Sequence, residues 1–275
     1  VLHFLKASLG KPLTFLAPGG VVLDETCVDL LVQVLQNPRL QEVLLGPFRH
    51  SGSPFMHRLL SALQDHEHLE MLSVGCLGSH AEEEEPFRRL LVQGRLRELR
   101  LSECHITSGM CEALGANACL ETPISTLWIL NNSFENLDSF SRVLGSSQQL
   151  FNLTIEFKDP SDEFLTCLMD GIAGCSRLRM LDIFWNPPST EESQKGHSEK
   201  VKKVLVGIAR CSELRTLAID RIPIPALLIP ILRKTLRSLK NIENVGADLT
   251  ELSPEEFIRF QQFLSGIPSL KKTFH

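Results

Sequence analysis

The sequence predicts a right-handed α/β solenoid, a horseshoe with a parallel β-sheet on its concave face and helices on its convex face. Three observations lead to this prediction. An apolar signature, Leu-x-x-Leu-x-Leu, recurs at intervals of 25 to 36 residues, most of them 26 to 29. Windows with helical spacing of apolar residues follow the signature. The chain, 275 residues with 43% hydrophobic content, can bury one large continuous core.

Ten copies of the signature are recognised, each identified by its first apolar residue. These are Leu13, Leu40, Leu69, Leu96, Ile124, Leu150, Leu178, Leu214, Leu239 and Leu270. The copies at Leu96, Leu178 and Leu214 are the clearest, whereas those at Leu13, Leu239 and Leu270 are degenerate. We therefore expect residues 1–275 to form a single domain of nine to ten repeats. Because both ends lie inside repeat-like sequence, we also expect this domain to be a fragment of a longer chain.

Each repeat is predicted to be a strand followed by a helix. The signature has the two-residue period of a strand, so its leucines face inward while its third and fifth positions face the solvent. After the first copy, Cys27, Leu31 and Val34 follow the spacing of a buried helix face. Adjacent strands lie about 4.8 Å apart and adjacent helices about 8 to 10 Å apart. The stack is therefore expected to curve with its sheet on the inside.

Several classes of function find no support in the sequence. The longest apolar runs, such as 223–232, are too short to cross a membrane and contain proline. The chain has no G-x-S-x-G motif, no glycine-rich phosphate loop and no H-E-x-x-H motif. We therefore expect no enzymatic activity, no cofactor, no metal site, no small-molecule substrate and no membrane association.

The eight cysteines are predicted to be reduced and buried. No C-x-x-C pair is present, so the spacing of a zinc site is missing. Cys175 and Cys211 each stand three residues before a repeat start, and Cys104 stands three residues after Leu101, where the backbone turns. Placement in register with the repeats indicates small apolar side chains in a core. Reduced thiols favour a cytoplasmic location.

The segments 96–106 and 124–134, LRELRLSECHI and ISTLWILNNSF, resemble the leucine-rich repeat. The period and full-length helices are similar to the ribonuclease-inhibitor-like subtype, found in ribonuclease inhibitors, in sensor domains of innate immune receptors and in F-box adaptors. The asparagine position of that repeat is occupied as expected only at Asn132, Asn186 and Cys104. The resemblance implies a protein-recognition module acting as a sensor or autoregulatory domain of a larger intracellular, innate-immune-receptor-like protein. A substrate-recruiting adaptor of a ubiquitin ligase is the alternative.

The partner is expected on the concave face and its ascending rim. Both tryptophans of the chain are assigned to solvent-facing positions, and exposed aromatic residues are typical interface anchors. The predicted partner-binding residues are Trp128, Trp185, Met180, Phe157, Phe184, Leu130, Arg100, Glu98 and Asp182. Two alternatives stay open: a rim loop covers these residues, or Phe157 and Phe184 turn inward.

Two further segments have uneven composition. Residues 195–240 carry eleven Lys or Arg against three acidic residues, in a chain of net charge −5. This basic band either binds nucleic acid or a phosphate ligand, or is a solvated convex face. Residues 187–199 are polar and predict a rim loop that either contacts a partner or is a tolerated insertion.

Overall fold

The computed structural model describes residues 2–18, 22–46, 49–50, 55–77, 81–185 and 196–274. The Asn186 position and all but the last four residues of the predicted 187–199 loop lie outside these residues. The chain divides into two compact units, Val1–Ser139 and Phe140–His275, with the boundary inside one helix. Each unit is described by itself.

The first unit repeats a strand followed by a helix. Its sheet strands, parallel and in chain order, are β1 Phe15–Leu16, β3 Glu42–Leu45, β5 Met71–Gly75, β6 Glu98–Ser102 and β8 Thr126–Leu130. Short parallel pairs join β2 Val22–Leu23 to β4 Arg49–His50, and β7 His105–Ile106 to β9 Ser133–Phe134. The helices are α1 Leu2–Ser8, α2 Glu25–Leu35, α3 Met56–Ala62, α4 Glu84–Val92, α5 Ser108–Ala118 and the boundary helix α6 Leu137–Ser146.

The second unit has the same plan. Its parallel strands, again in chain order, are β10 Asn152–Phe157, β11 Met180–Trp185, β12 Thr216–Pro223, β13 Asn244–Asp248 and β14 Lys272–Phe274. Its helices are α7 Asp162–Gly174, α8 His197–Ile208, α9 Ile229–Ser238 and α10 Pro254–Ser265. The predicted α/β solenoid with a parallel sheet is therefore confirmed. Among the described residues, no helix is long and apolar enough to cross a membrane.

The signature residues form the core between sheet and helices. Leu178, Leu181 and Ile183 are each at most 1% exposed, as are Leu96 and Leu99 of the first unit. Burying one such side chain contributes about 1.5 to 3 kcal/mol relative to leaving it exposed. Because a single repeat has only one covered face, this burial requires neighbouring repeats on both sides.

The predicted start of the ninth repeat at Leu239 is wrong by three residues. Thr216 pairs with Asn244 in the sheet, so the repeat begins at Ile242. Intervals of 28 residues then separate Ile242 from both Leu214 and Leu270. The inward positions of this repeat are occupied by Val245 and Ala247, which are 2% and 3% exposed. Because neither residue is leucine, the leucine signature does not identify this repeat.

Polar side chains hold the turns that follow the strands of the first unit. Asn132 Oδ1 accepts a hydrogen bond from the Cys104 backbone N–H at 2.7 Å, and its Nδ2 donates to the Leu101 carbonyl at 2.9 Å. One repeat earlier, Cys104 Sγ accepts from the Leu77 N–H at 3.3 Å. These contacts satisfy backbone hydrogen-bonding groups where the chain leaves the sheet. Asn132 and Cys104, both at the asparagine position of the repeat, thus each hydrogen-bond the backbone of a neighbouring turn.

All eight cysteines are free thiols, but the prediction of general burial is wrong for part of the set. Cys27, Cys104, Cys111, Cys175 and Cys211 are buried, Cys167 is half-buried, and Cys76 and Cys119 are exposed. Burial raises the pKa of the Cys104 and Cys175 thiols to about 12 and that of Cys211 to about 11. Buried thiols with raised pKa values are chemically inert, because the thiolate is the nucleophile.

Replacing Asn132 with alanine should destabilise the fold. The substitution leaves the Cys104 N–H and the Leu101 carbonyl without their side-chain partner, and each such loss costs about 1 to 3 kcal/mol. Thermal or urea unfolding measures the change. The matched control is Asn241→Ala, which removes one exposed 3.3 Å bond to the Ser212 carbonyl. That control should change the free energy of unfolding by less than about 0.5 kcal/mol. Equal effects of both substitutions would contradict the role given to Asn132.

Alkylation should distinguish the thiols by burial. Brief iodoacetamide treatment of the native protein near pH ~8 should modify Cys119 and leave Cys104, Cys175 and Cys211 unmodified. In denaturant all eight cysteines should react. Peptide mass mapping provides the measurement, and native labelling of Cys175 at the rate of Cys119 would show that the described packing is wrong.

Candidate functional site

The nine predicted site residues fall in both units. Four lie on β6 and β8 of the first unit: Glu98, Arg100, Trp128 and Leu130. Five lie on β10 and β11 of the second unit: Phe157, Met180, Asp182, Phe184 and Trp185. The structure brings together the members of the first group, and it separates the second group into buried and partly exposed residues.

Strand register places the first group on one surface. Arg100 pairs with Trp128 across β6 and β8, and Ser102 pairs with Leu130. The intervening residues of both strands, such as Leu99 and Ile129, are fully buried. Because side chains alternate along a strand, the paired residues project from the face of the sheet opposite the core. All of them are partly exposed.

Arg100 lies against the face of Trp128. Its guanidinium carbon is 4.6 Å from the centroid of the indole ring. The same side chain donates from Nε to Glu98 Oε1 at 2.6 Å, with side-chain exposures of 34% for Arg100 and 27% for Glu98. A cation–π contact at a partly exposed position contributes about 0.5 to 1 kcal/mol. Two contacts thus fix the Arg100 side chain before any partner binds.

We refer to Glu98, Arg100, Trp128 and Leu130 as the Trp128 platform. It offers an apolar ring and a leucine side chain beside a guanidinium and a carboxylate that are paired with each other. On β5 the sheet face continues through Met71, which pairs with Glu98, and Ser73, which pairs with Arg100. This arrangement suits non-covalent recognition of a side chain that has both apolar and polar atoms. Within the described residues, no group of three or more His, Cys, Asp or Glu is placed to hold a metal ion.

Three residues predicted to face solvent in the second unit are buried. Trp185 is 1% exposed, Phe157 is 6% exposed and Phe184 is 9% exposed. The assignment of Trp185 to the surface is therefore wrong. Phe157 turns inward, as one of the two alternatives stated, whereas Phe184 keeps an outward strand position and is covered there by Arg221. Neither Trp185 nor Phe157 is available as an interface anchor.

The length of the strands explains the burial of Phe157 and Trp185. In the first unit, Cys76, Glu103 and Asn131 follow five-residue strands in the left-handed conformation, with φ of 58°, 54° and 54°. At the matching positions of β10 and β11 the strand instead continues for a sixth residue, and Phe157 pairs with Trp185. Alternation along the strand turns that sixth residue inward.

Aromatic contacts anchor these inward residues to the helices. The Trp185 ring meets the His197 ring edge-to-face at 6.0 Å, and His197 Nε2 lies 2.8 Å from the Pro223 carbonyl oxygen. Phe157 packs edge-to-face on Phe164 of α7 at 4.5 Å. Extending the two-residue alternation from Leu181 and Ile183 by one more step would have placed Trp185 inside. That signal was present in the sequence.

The remaining face of the second unit is partly exposed. Met180 and Asp182 project from β11, while Phe184 is covered by the Arg221 guanidinium, whose carbon is 4.6 Å from the ring centroid. Arg221 lies outside the predicted set. It lies on the eight-residue strand β12, next to an irregularity in register between Ile219 and Pro223.

Most cations on α8 and beside it are paired with carboxylates. Lys200 pairs with Asp159 at 2.7 Å, Lys203 with Asp162 at 2.9 Å and Arg210 with Asp170 at 2.7 Å. Lys202 pairs with Glu199, and Arg215 with Glu243. The predicted basic band is therefore neutralised over much of its length, although its first residue, Lys195, lies outside the described part of the chain.

Neither a protein-family model nor a curated protein matches this sequence. Among solved structures, a chain of the yeast Rad7 and Elc1 complex is similar, with a TM-score of 0.53 and 17% identity, covering 99% of this chain and 71% of that chain. The tropomodulin C-terminal domain of Caenorhabditis elegans gives a TM-score of 0.34 and 15% identity, covering 64% of this chain and 92% of that chain. The similarity to the Rad7 and Elc1 structure shows a shared fold.

The two tryptophans should respond differently to truncation. Trp185→Ala removes a fully buried ring and should lower the free energy of unfolding by about 3 to 5 kcal/mol. Trp128→Ala removes a partly exposed ring and one cation–π contact, so we expect a loss of about 1 kcal/mol. Urea unfolding of both variants tests this. A Trp128 variant as unstable as the Trp185 variant would mean that Trp128 is core rather than surface.

Proposed function

We propose that this chain is a protein-recognition module whose partner binds the sheet face of the first unit, with the Trp128 platform at its energetic centre. The observation that carries the proposal is the Arg100 guanidinium held between the Trp128 ring and the Glu98 carboxylate. Trp and Arg are the residues most enriched among interface hot spots. A side chain fixed in the free protein loses less conformational entropy on binding.

Other residues have smaller parts in this proposal. Met71 and Leu130 extend the apolar surface around Trp128. Met180 and Asp182 form a partly exposed surface of the second unit and are not part of the Trp128 platform. Phe157 and Trp185 are core residues on the inner side of the sheet, and Phe184 is covered by Arg221, so none of the three is assigned to the binding surface.

The module is proposed to be non-enzymatic and intracellular. The platform holds a cation, a carboxylate and apolar groups but no nucleophile beside a base, which favours binding over covalent chemistry. Eight unpaired cysteines support a reducing compartment.

Two cellular roles are compatible with such a module. From the leucine-rich repeat resemblance, the first is a sensor or autoregulatory domain of an innate-immune-receptor-like protein. The second is a substrate-recruiting adaptor of a ubiquitin ligase. The similar solved chain comes from a complex of Rad7 with Elc1, which supports a partner-binding role by analogy of fold alone. The sensor role predicts a nucleotide-binding segment in the full-length protein, and the adaptor role predicts a short adaptor-binding helix.

Binding of nucleic acid by the basic band is disfavoured. Lys200, Lys203 and Arg210 already have carboxylate partners, so a phosphate backbone would have to displace them. We expect no electrophoretic shift of a DNA or RNA duplex at low salt, where counterion release makes such binding strongest.

Truncation of Trp128 should weaken partner binding strongly while the fold persists. The full-length protein is used to capture partners from extracts of its own cells, and bound proteins are quantified by mass spectrometry. For a protein bound at the platform, Trp128→Ala should weaken the measured Kd by about 30- to 1000-fold, the effect of losing roughly 2 to 4 kcal/mol. Arg100→Ala should weaken it in the same direction.

The control is Leu227→Ala, which truncates an apolar side chain that is 69% exposed and lies outside the sheet. It should leave the Kd unchanged. The proposal fails if every captured protein binds the Trp128 variant as tightly as the wild type while circular dichroism shows both to be folded.

A further inference from the structure

A second charged surface lies on the helical side of the second unit. Arg233, Lys234 and Arg237 on α9, together with Lys240 after it, form no ion pair with the described residues, and all four belong to the predicted basic band. This distinguishes α9 from α8, whose cations Lys200, Lys202 and Lys203 all have carboxylate partners. The unpaired positive charge of the basic band is therefore concentrated on α9 and the residue that follows it.

Aromatic rings on α10 hold the two arginines in place. The guanidinium carbon of Arg233 is 5.4 Å from the Phe263 centroid, and that of Arg237 is 5.2 Å from the same ring. Arg233 also lies 6.0 Å from the Phe260 centroid, and its buried Nε has no hydrogen-bond partner among the described residues. Because the Arg237 side chain is exposed, packing on the ring leaves its guanidinium N–H groups available for contact with a carboxylate.

A cavity of about 380 Å³ opens beside these arginines, between the carboxyl-terminal ends of α9 and α10. Its lining includes Leu236, Phe263, Ile267 and Pro268, together with the cations Arg237 and Lys240. We call this cavity, together with Arg233 and Lys234, the α9 groove. It combines an apolar floor with a cationic edge.

The acidic residues of α10 do not neutralise the groove. They lie in the first turn of that helix, where Glu256 forms a capping box with Ser253 and Glu255 pairs with Arg259. The groove lies at the other end of α10, beside Phe263 and Gly266. An anionic partner would therefore meet cations without competition from these carboxylates.

We propose that the α9 groove binds an acidic protein segment that inserts one apolar side chain. Arg233 and Arg237 recur at i and i+4, which places them about 6 Å apart on one side of the helix, and Lys240, just after the helix end, lines the same cavity as Arg237. Carboxylates of an acidic segment can pair with these cations while an apolar side chain fills the floor. Nucleic acid fits less well, because its backbone would leave the partly exposed Ile267 and the exposed Pro268 uncovered. This surface is independent of the Trp128 platform.

Fluorescence anisotropy with a defined probe tests the proposal. The probe is a labelled twelve-residue peptide of Asp and Glu with a central Leu, and the comparison probes are the same peptide with Ser for Leu and a single-stranded DNA of twelve nucleotides. The wild type should bind the leucine peptide several-fold more tightly than the serine peptide and than the DNA. The double variant R237Q/K240Q should weaken peptide binding at least about 10-fold.

The neighbouring groove between α7 and α8 supplies the matched control. It has a volume of about 320 Å³ and is lined by Met169, Val206, Lys203 and Arg210. Because those two cations are paired with Asp162 and Asp170, the variant K203Q/R210Q should change the Kd less than about 2-fold. The variant W128A should also bind the peptide normally, so failure here is distinguishable from failure of the proposed function.

The variant K234Q/K240Q keeps both ring-packed arginines, and it decides the outcome if R237Q/K240Q has a lowered melting temperature. The proposal is overturned by absence of saturable peptide binding, by equal losses in the α9 variants and K203Q/R210Q, or by DNA that binds as tightly as the leucine peptide.

Discussion

Burial of one inward-facing ladder of aliphatic side chains constrains every other position of a repeat. Once Leu99 and Leu101 point into the core, Arg100 has to point away from it, because side chains alternate along a strand. The parallel register then sets each outward residue beside its counterpart one repeat later, as Arg100 is set beside Trp128. The set of side chains that the outer face of the sheet presents is therefore a by-product of core formation. A change that shifts the register of one strand would rearrange the platform without touching its residues.

The residue at which a strand ends also matters, because it determines whether the aromatic residues that follow are buried or exposed. In the first unit, a left-handed residue such as Asn131 takes the chain out of the sheet, and the polar side chain of Asn132 then holds the turn. In β10 and β11 the sheet continues by one residue, and the added position carries Phe157 and Trp185. In β10 and β11 an aromatic ring covers the end of the core, whereas in the first unit a short polar turn covers it.

Periodicity in the sequence was sufficient for the fold and for the Trp128 platform. Strong aliphatic signatures on both sides of Arg100 and Trp128 left a single possible register. The surface assignment of Trp185 takes the strand to end at Ile183, whereas β11 continues to Trp185; strand length depends on the turn that follows, and only the alternation of Leu181 and Ile183 carried one step further places this ring inside. The repeat at Ile242 was missed for a different reason: Val245 and Ala247 fill their inward positions with small side chains. The ring contacts of Arg221, Arg233 and Arg237 depend on tertiary packing and have no signal in the chain order.

The net charge of the helical face depends on which residues the adjacent helix presents, and composition alone does not show this. Adjacent helices place one repeat's cations next to the preceding repeat's acids, as with Lys203 and Asp162, so a basic segment is neutral when its neighbour is acidic. Exposed ion pairs of this kind add little to the free energy of unfolding, yet they neutralise cations that an anionic ligand would otherwise bind. On α9 the facing residues are the rings of Phe260 and Phe263, which orient arginines without neutralising them. The difference between a solvated face and a binding groove therefore lies in the residue type that one helix presents to the next, and a count of lysines and arginines does not reveal it.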